Sequence, residues 1–234
     1  MSHVRVLNPN ASESMTTAVL AAARAVARPD TTVSATHSDG APAIVETNAD
    51  EVLGAAGVLT QVEQGERDGV DGYVVACFGD TGLAAARERA AGPVVGMTEA
   101  ALQTAALLAH RFTVVTMPPR TRAMTDRVVA GLGLEHRCTV RAVDVSVADI
   151  ESGAGPAFDA FVQEARAALA ADAAEAVVLG CAGLTELVDA LTDALGVPVV
   201  DGVAAATTAV EGLLAQGLST SRASTWAHAP EVSS

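Results

Sequence analysis

The sequence contains no lysine: all fourteen of its basic residues are arginines, against 28 acidic residues. Without lysine the chain cannot form a Schiff base with a carbonyl substrate or with pyridoxal phosphate, and it cannot supply the lysine of a P-loop. The formal net charge of -14 opposes binding to a polyanion, whose phosphates would be repelled. We therefore expect a small-molecule partner and no nucleic acid.

Aromatic residues make up only 3% of the chain, whereas Ala, Val, Leu and Gly dominate, as suits parallel strands covered by closely packed helices. No run of 18 apolar residues could span a membrane, and no basic start with an apolar core indicates a secretory signal. We expect a cytoplasmic protein that does not enter a membrane. Three cysteines, an odd number, do not suggest a disulfide framework.

Apolar, β-branched runs alternate with helical patterns along the chain. The predicted strands are residues 4–7, 32–36, 72–76, 93–96, 112–116, 139–143, 176–179 and 198–200. The predicted helices are residues 14–27, 48–65, 83–90, 98–108, 120–131, 156–171, 184–195 and 203–216. The alternation predicts an α/β fold with parallel sheets between layers of helices.

Two segments about a hundred residues apart repeat one layout. Each has a strand, then Cys, with Gly two, Thr four and Leu six positions later: Cys77-Gly79-Thr81-Leu83 and Cys181-Gly183-Thr185-Leu187. Each continues through a helix into a Pro-Val-Val strand, at residues 93–95 and 198–200. The repeat predicts two similar Rossmann-like lobes related by a pseudo-twofold axis, with the active site in the cleft between them.

The expected domain limits follow from this repeat. The first lobe comprises residues 1–97 plus 206–218, because the C-terminal helix is expected to cross back to it, and the second lobe comprises residues 98–205. Residues 219–234 are small, polar and poorly periodic. They form a C-terminal tail that is either a partly disordered end, which we favour, or an arm over a neighbouring subunit.

The repeat brings two thiols to one place. Ligands of parallel α/β sheets bind beyond the carboxyl ends of the strands, so Cys77 and Cys181 should flank one cleft. Each thiol precedes a helix N-terminus, which favours the thiolate form. Two opposed bases can invert a carbon acid, because one removes a proton from one face while the other returns a proton to the opposite face.

The cysteines also have less specific interpretations than a pair of catalytic bases. A lone buried Cys is usually a small core residue, and Cys138, which lacks the glycine context, is interpreted as structural. We expect no metal, because the histidines show no ligand spacing to each other or to the cysteines: His3, His37, His110, His136 and His228. A redox disulfide between the paired cysteines lacks a CxxC motif to support it.

Four motifs together resemble the aspartate/glutamate/hydantoin racemase superfamily, specifically its hydantoin and allantoin racemase branch. They are Leu7-Asn8-Pro9-Asn10, Ala76-Cys77-Phe78-Gly79-Asp80-Thr81-Gly82-Leu83, Leu179-Gly180-Cys181-Ala182-Gly183 and Val200-Asp201-Gly202-Val203. The resemblance spans nearly the whole chain. It implies a cofactor-independent, two-cysteine racemase of 5-monosubstituted hydantoins or allantoin, both cyclic ureides, often in a homo-oligomer.

The resemblance also implies site residues. Cys77 and Cys181 match the catalytic thiols, and the matching substrate contacts are Asn10, Phe78, Gly79, Asp80, Thr116, Ala182 and Gly183. Three of these contacts have structural alternatives: Asn10 and Asp80 as helix caps, and Thr116 as a strand-end residue. The Gly79-Asp80-Thr81-Gly82 run departs from the family's usual Asp-Pro-Gly, and the Ala41–Glu46 loop is also less typical. Both departures bear on substrate preference more than on chemistry.

No arginine adjoins either thiol in sequence to clamp a carboxylate, which favours a cyclic amide over an amino acid. Three alternatives stay open: an amino-acid racemase, a one-cysteine enzyme such as a maleate-type isomerase or a decarboxylase, and a non-catalytic two-lobed binding protein.

Overall fold

The computed structural model describes residues 1–145 and 155–227, and within them eight strands form two parallel four-stranded sheets. The first sheet contains β1 (Ser2–Leu7), β2 (Thr31–Thr36), β3 (Gly72–Val75) and β4 (Val94–Gly96). The second sheet contains β5 (Phe112–Thr116), β6 (Cys138–Ala142), β7 (Ala176–Gly180) and β8 (Val199–Val200). The strand order is β2-β1-β3-β4 in one and β6-β5-β7-β8 in the other, so the same topology occurs twice.

Helices alternate with the strands. They are α1 (Glu13–Val26), α2 (Asn48–Arg67), α3 (Leu83–Arg89), α4 (Met97–Leu108), α5 (Arg122–Gly131), α6 (Gly155–Ala171), α7 (Val188–Leu195) and α8 (Gly202–Ala215). Local sequence explains where several begin. Ser12 accepts the backbone N–H of Met15 at the start of α1, and Thr47 and Asp50 form a reciprocal capping box on α2.

Three of the four central strands are buried along their whole length. Every residue of β3, β5 and β7 is buried, which explains why these strands are continuous apolar runs rather than alternating patterns. The two-lobed α/β fold with parallel sheets expected from the sequence is confirmed. The limits at residues 97 and 205 stay a prediction, and residues 146–154 and 228–234 of the predicted second lobe and tail lie outside the described residues.

Two helices cross between the halves. Helix α4 follows β4 but packs against β7 and β8, whereas α8 follows β8 and packs against β1, β3 and β4. The two helices also contact each other, and a Cβ at Gly202 would lie 2.7 Å from the carbonyl oxygen of Met97. Glycine at this position therefore lets the first turns of α4 and α8 approach closely.

Two helices predicted from the sequence begin as tighter turns. The segment predicted as helix 184–195 is a 3-10 helix over Ala182–Leu187 followed by α7, and residues Pro119–Thr121 form a 3-10 turn before α5. The hydroxyl of Thr185 donates to the carbonyl oxygen of Ala182, three residues back, which suits the tighter winding. Within the described residues, no helix has the length and apolar character needed to cross a membrane.

The first part of the C-terminal tail lies against the first sheet's helices. The Arg222 guanidinium donates to the carbonyl oxygens of Arg87 and Ala90, where α3 ends. Arg87 in turn lies 5.4 Å from the ring centre of Trp226. These contacts hold residues 219–227 on the chain's own surface. The polar composition of the tail had instead favoured a partly disordered end.

Candidate active site

The two thiols of the repeat line one pocket between the two sheets. Cys77 follows β3 and Cys181 follows β7, each at the carboxyl end of a strand. The pocket also contains four of the seven predicted substrate contacts: Asn10, Phe78, Thr116 and Ala182. Gly79, Asp80 and Gly183 adjoin the thiols in sequence but are not among the pocket-lining residues.

The pocket is small, with a cavity volume of about 50 Å³. Small-molecule sites usually measure ~300–1,000 Å³, so a ring-sized substrate needs part of the wall to move outward. One wall consists of Ile44, Val45 and Glu46, from the segment between β2 and α2. That segment connects the two elements, and its Glu46 N–H donates to the Asp50 carboxylate at the start of α2.

Glycine and threonine bring Cys181 into position. Gly180 ends β7 beside Thr116 at the end of β5, and a Cβ on Gly180 would lie 2.6 Å from the Cα of Thr116. The Thr116 hydroxyl donates to the Gly180 carbonyl oxygen at 3.1 Å. The two strand ends therefore meet closely, and Cys181 follows directly in extended backbone as the N-cap of the 3-10 helix.

The turn that carries Cys77 is held on several sides. The Thr81 hydroxyl donates to the Cys77 sulfur at 3.4 Å. The Gly79 N–H donates to the Thr98 hydroxyl at 2.7 Å. Gly79 has a φ of 107°, a conformation that favours glycine, and a Cβ there would come within 3.1 Å of Met124 in α5. The Cys77 turn thus contacts the other half of the molecule directly.

Burial controls the charge on Cys77. It raises the pKa of the Cys77 thiol to about 12, against a lowering by the Thr81 hydroxyl. Negative charge on Asp80 and on Cys181 raises this pKa further. The helix N-terminus expected to favour the thiolate does not outweigh burial, because α3 begins only at Leu83, six residues after the thiol.

The Asp80 side chain is directed at the N-terminus of α4, and it does not line the pocket. Its carboxylate accepts the backbone N–H groups of Thr98 at 2.8 Å and Glu99 at 2.9 Å. It therefore caps α4 from outside that helix. This differs from the N-cap alternative offered by the sequence, because the N-cap residue of the following helix α3 is Gly82. Burial raises its pKa to about 7, although both N–H groups favour the ionised form.

Asn10 shapes the turn between β1 and α1. Its side-chain oxygen accepts the backbone N–H of Ser12 and a side-chain N–H of Asn8, both at 2.9 Å. Its own amide N–H donates to the sulfur of Met15 at 3.4 Å. Ser12 rather than Asn10 caps α1, so Asn10 fixes the turn and lines the pocket.

Several pocket residues were missed by the sequence analysis. Besides the wall from residues 44–46, the lining includes Met15, Ala76, Met117, Thr121 and Gly180. Ala76 and Gly180 directly precede the thiols, so their positions could have been inferred. The wall segment belongs to the Ala41–Glu46 loop, which the sequence marks as untypical of the family but not as part of the site.

The pocket offers two thiols, one acidic residue (Glu46), a few uncharged polar groups and apolar walls. Of the described residues, those lining it include no arginine and no histidine, so a carboxylate clamp is lacking there. Across residues 1–145 and 155–227, no three His, Cys, Asp or Glu side chains come together as metal ligands would. All three cysteines lie in the described ranges, and none is in a disulfide.

Comparison with known proteins now assigns the family. The family model for Asp/Glu/hydantoin racemase matches residues 4–210. The chain belongs to the Asp/Glu/hydantoin racemase family. It is 44% identical to the hydantoin racemase of Rhizobium meliloti over 97% of this chain and 94% of that protein. It is 40% identical to the hydantoin racemase of Pseudomonas sp. (strain NS671) over 95% of this chain and 90% of that protein.

A solved structure is equally similar. The allantoin racemase from Klebsiella pneumoniae matches with a TM-score of 0.95 and 42% identity, covering 99% of this chain and 95% of that one. The resemblance expected from the four motifs is thus confirmed across nearly the whole chain. The family and its relatives make the protein an isomerase of the racemase class.

Proposed function

We propose that this family member racemises 5-monosubstituted hydantoins, with Cys77 and Cys181 transferring protons on opposite faces of C5. The observation that carries the proposal is the placement of both thiols in one pocket, each at the carboxyl end of a central strand. The hydantoin racemases at 44% and 40% identity support the substrate class. The reaction needs no cofactor.

The proton balance is simple. A thiolate takes the C5 proton and leaves an enolate on the ring, and the opposite thiol then gives its proton to the other face of C5. The starting pair of one thiolate and one thiol ends as one thiol and one thiolate. Because negative charge on Cys181 raises the pKa of Cys77, the pair resists carrying two negative charges. This coupling disfavours a doubly ionised pair, and the raised pKa keeps Cys77 protonated before substrate binds.

The walls support a hydantoin with an apolar substituent. Met15, Ile44, Val45 and Phe78 give the pocket apolar sides, and burying an apolar group there contributes ~25 cal/mol per Å². The missing carboxylate clamp disfavours a free amino acid. Allantoin is the second candidate, because the allantoin racemase from Klebsiella pneumoniae is 42% identical over 99% of this chain.

The test compares substrates and thiols in one assay. One enantiomer of 5-benzylhydantoin, and separately of allantoin, is incubated with the protein while optical rotation is followed against enzyme-free solution. We expect faster loss of rotation with 5-benzylhydantoin, abolished by Cys77→Ala and by Cys181→Ala. Cys138→Ala is the matched control, because Cys138 is buried in the second-lobe core and does not line the pocket.

Each other outcome changes the proposal. A faster reaction with allantoin moves the substrate to the second candidate. Activity that survives either pocket substitution refutes the two-thiol mechanism, and no acceleration with either ureide refutes the substrate class. A homo-oligomer is also proposed on the family resemblance, and size-exclusion chromatography with light scattering tests it. The cytoplasmic location expected from the sequence stays a proposal.

A further inference from the structure

The first turns of the crossing helices α4 and α8 are each capped by a carboxylate, but the two carboxylates come from different parts of the chain. The repeated Pro-Val-Val strands make Gly96 before α4 equivalent to Asp201 before α8. Asp201 caps α8 from its own N-cap position, accepting the N–H of Val203 at 2.8 Å. Gly96 has no side chain to offer, and the carboxylate at α4 comes from Asp80, in the turn that follows Cys77.

Gly96 and Asp80 occupy complementary space. A Cβ on Gly96 would lie 2.3 Å from the carboxyl carbon of Asp80, so the Asp80 carboxyl fills the place where a side chain at the N-cap would begin. Asp80 reaches it with a φ of 55°, in the left-handed region that residues other than glycine seldom adopt. The turn therefore adopts a costly backbone conformation that directs this carboxylate to α4.

A second hydrogen bond joins the same turn to the same helix. The Thr98 hydroxyl, fully buried, accepts the N–H of Gly79, while the Thr98 N–H donates to Asp80. Helix α4 packs against β7, the strand that ends beside Cys181. The chain of contacts thus runs from the Cys77 turn through α4 to the strand that carries the other thiol.

We infer that Asp80 is the positioning residue for Cys77: by capping α4 it fixes the Cys77 turn relative to the strand that bears Cys181. This inference rests on the proposed two-thiol racemisation. It assigns Asp80 no contact with substrate. In the second half the capping carboxylate belongs to Asp201, outside the Cys181 turn, so loss of Asp80 should displace one thiol and leave the other in place.

Deuterium exchange in D₂O separates the two thiols. Each thiol removes the C5 proton of the enantiomer that faces it, so a misplaced Cys77 should slow exchange of one enantiomer only. The enantiomer facing Cys77 is identified as the one whose exchange is lost in Cys77→Ala. For Asp80→Asn and Thr98→Val we expect racemisation to fall about 100-fold, as a displacement of ~1 Å can cause. Exchange without inversion should persist for the enantiomer that faces Cys181.

Glu211→Gln is the matched control. Glu211 is a buried carboxylate that accepts the backbone N–H of Arg28 and the hydroxyl of Thr31, at the edge of the first sheet opposite the thiols. It joins the crossing helix α8 to the start of β2, whereas Asp80 joins the crossing helix α4 to a thiol turn. We expect any loss of activity in this variant to affect the exchange of both enantiomers equally.

The outcomes are distinguishable. One-sided loss of exchange in Asp80→Asn, or in Thr98→Val if the first variant does not fold, supports the inference. Equal loss for both enantiomers, or unchanged racemisation in a folded variant, overturns it. A wild-type protein that exchanges neither enantiomer refutes the proposed function itself, before either variant is compared.

Discussion

Gly180→Ala tests the close approach of the strands beside Cys181. An added Cβ would lie 2.6 Å from both the Cα and the Cβ of Thr116 and 2.7 Å from the carbonyl oxygen of Val115. Ordinary contacts of this kind measure 3.4–4 Å, and the obstructing atoms include backbone in the centre of a sheet. Overpacking that moves backbone costs ~1–3 kcal/mol and occasionally more, so we expect about 3 kcal/mol of destabilisation.

Gly212→Ala is the matched control. Gly212 lies within α8 and is exposed, and nothing lies within 4 Å of a Cβ placed there. Alanine is favoured over glycine in a helix by about 1 kcal/mol, so this variant should be more stable than wild type. For a chain of this size, 1 kcal/mol shifts the Tm by ~2–4 °C.

Thermal unfolding followed by circular dichroism measures both variants. We expect the Tm to fall by roughly 6–12 °C for Gly180→Ala and to rise by roughly 2–4 °C for Gly212→Ala. Gly180→Ala should also lose racemisation, because Cys181 follows the displaced residue. A Gly180→Ala protein as stable as wild type would refute the strand contact, and with it the reason given for the position of Cys181.

Two further predictions concern charge and the tail. Burial raises the pKa of Asp80 from 3.8 to about 7, so this group stabilises the fold most below pH 4 and loses roughly 4 kcal/mol of that contribution as the pH rises to 7. In urea unfolding, the stability of wild type relative to Asp80→Asn should therefore decrease from pH 4 to pH 7; a constant difference would contradict the shift. Arg222→Ala removes charged hydrogen bonds to the end of α3, so we expect a loss of about 1–3 kcal/mol and a red-shifted fluorescence of Trp226, the single tryptophan. The exposed Arg89 provides the control Arg89→Ala, and unchanged fluorescence in Arg222→Ala would mean that the tail is not held there.

The strands were predictable because their residues favour extended backbone and burial in a sheet. Continuous apolar, β-branched runs located all eight to within two residues at either end, and residues 112–116 matched β5 at both ends. The helix starts were less predictable where a 3-10 turn intervenes, because the residues of that turn read as part of the helix that follows it. In the sheets, the conformation that the local sequence favours is the one that the packed structure adopts. At these turns the two differ.

The site was predictable where the repeat marked it. The matched glycines and threonines around Cys77 and Cys181 indicated one cleft, and both thiols line one pocket. The partner of Asp80 was not predictable, because the helix that it caps begins fourteen residues beyond the local helix start expected at residue 83. Nor was the raised pKa of Cys77, since burial is a property of the assembled lobes.

The most direct test of the two-thiol mechanism is enantiomer-specific deuterium exchange in Cys77→Ala and Cys181→Ala. Each variant is incubated in D₂O with each enantiomer of 5-benzylhydantoin, and NMR follows the C5 proton while chiral chromatography follows inversion. If the thiols act on opposite faces, each variant should exchange one enantiomer without inverting it, and the two variants should select opposite enantiomers. If both variants exchange the same enantiomer, or if either still racemises, the thiols do not act on opposite faces of C5.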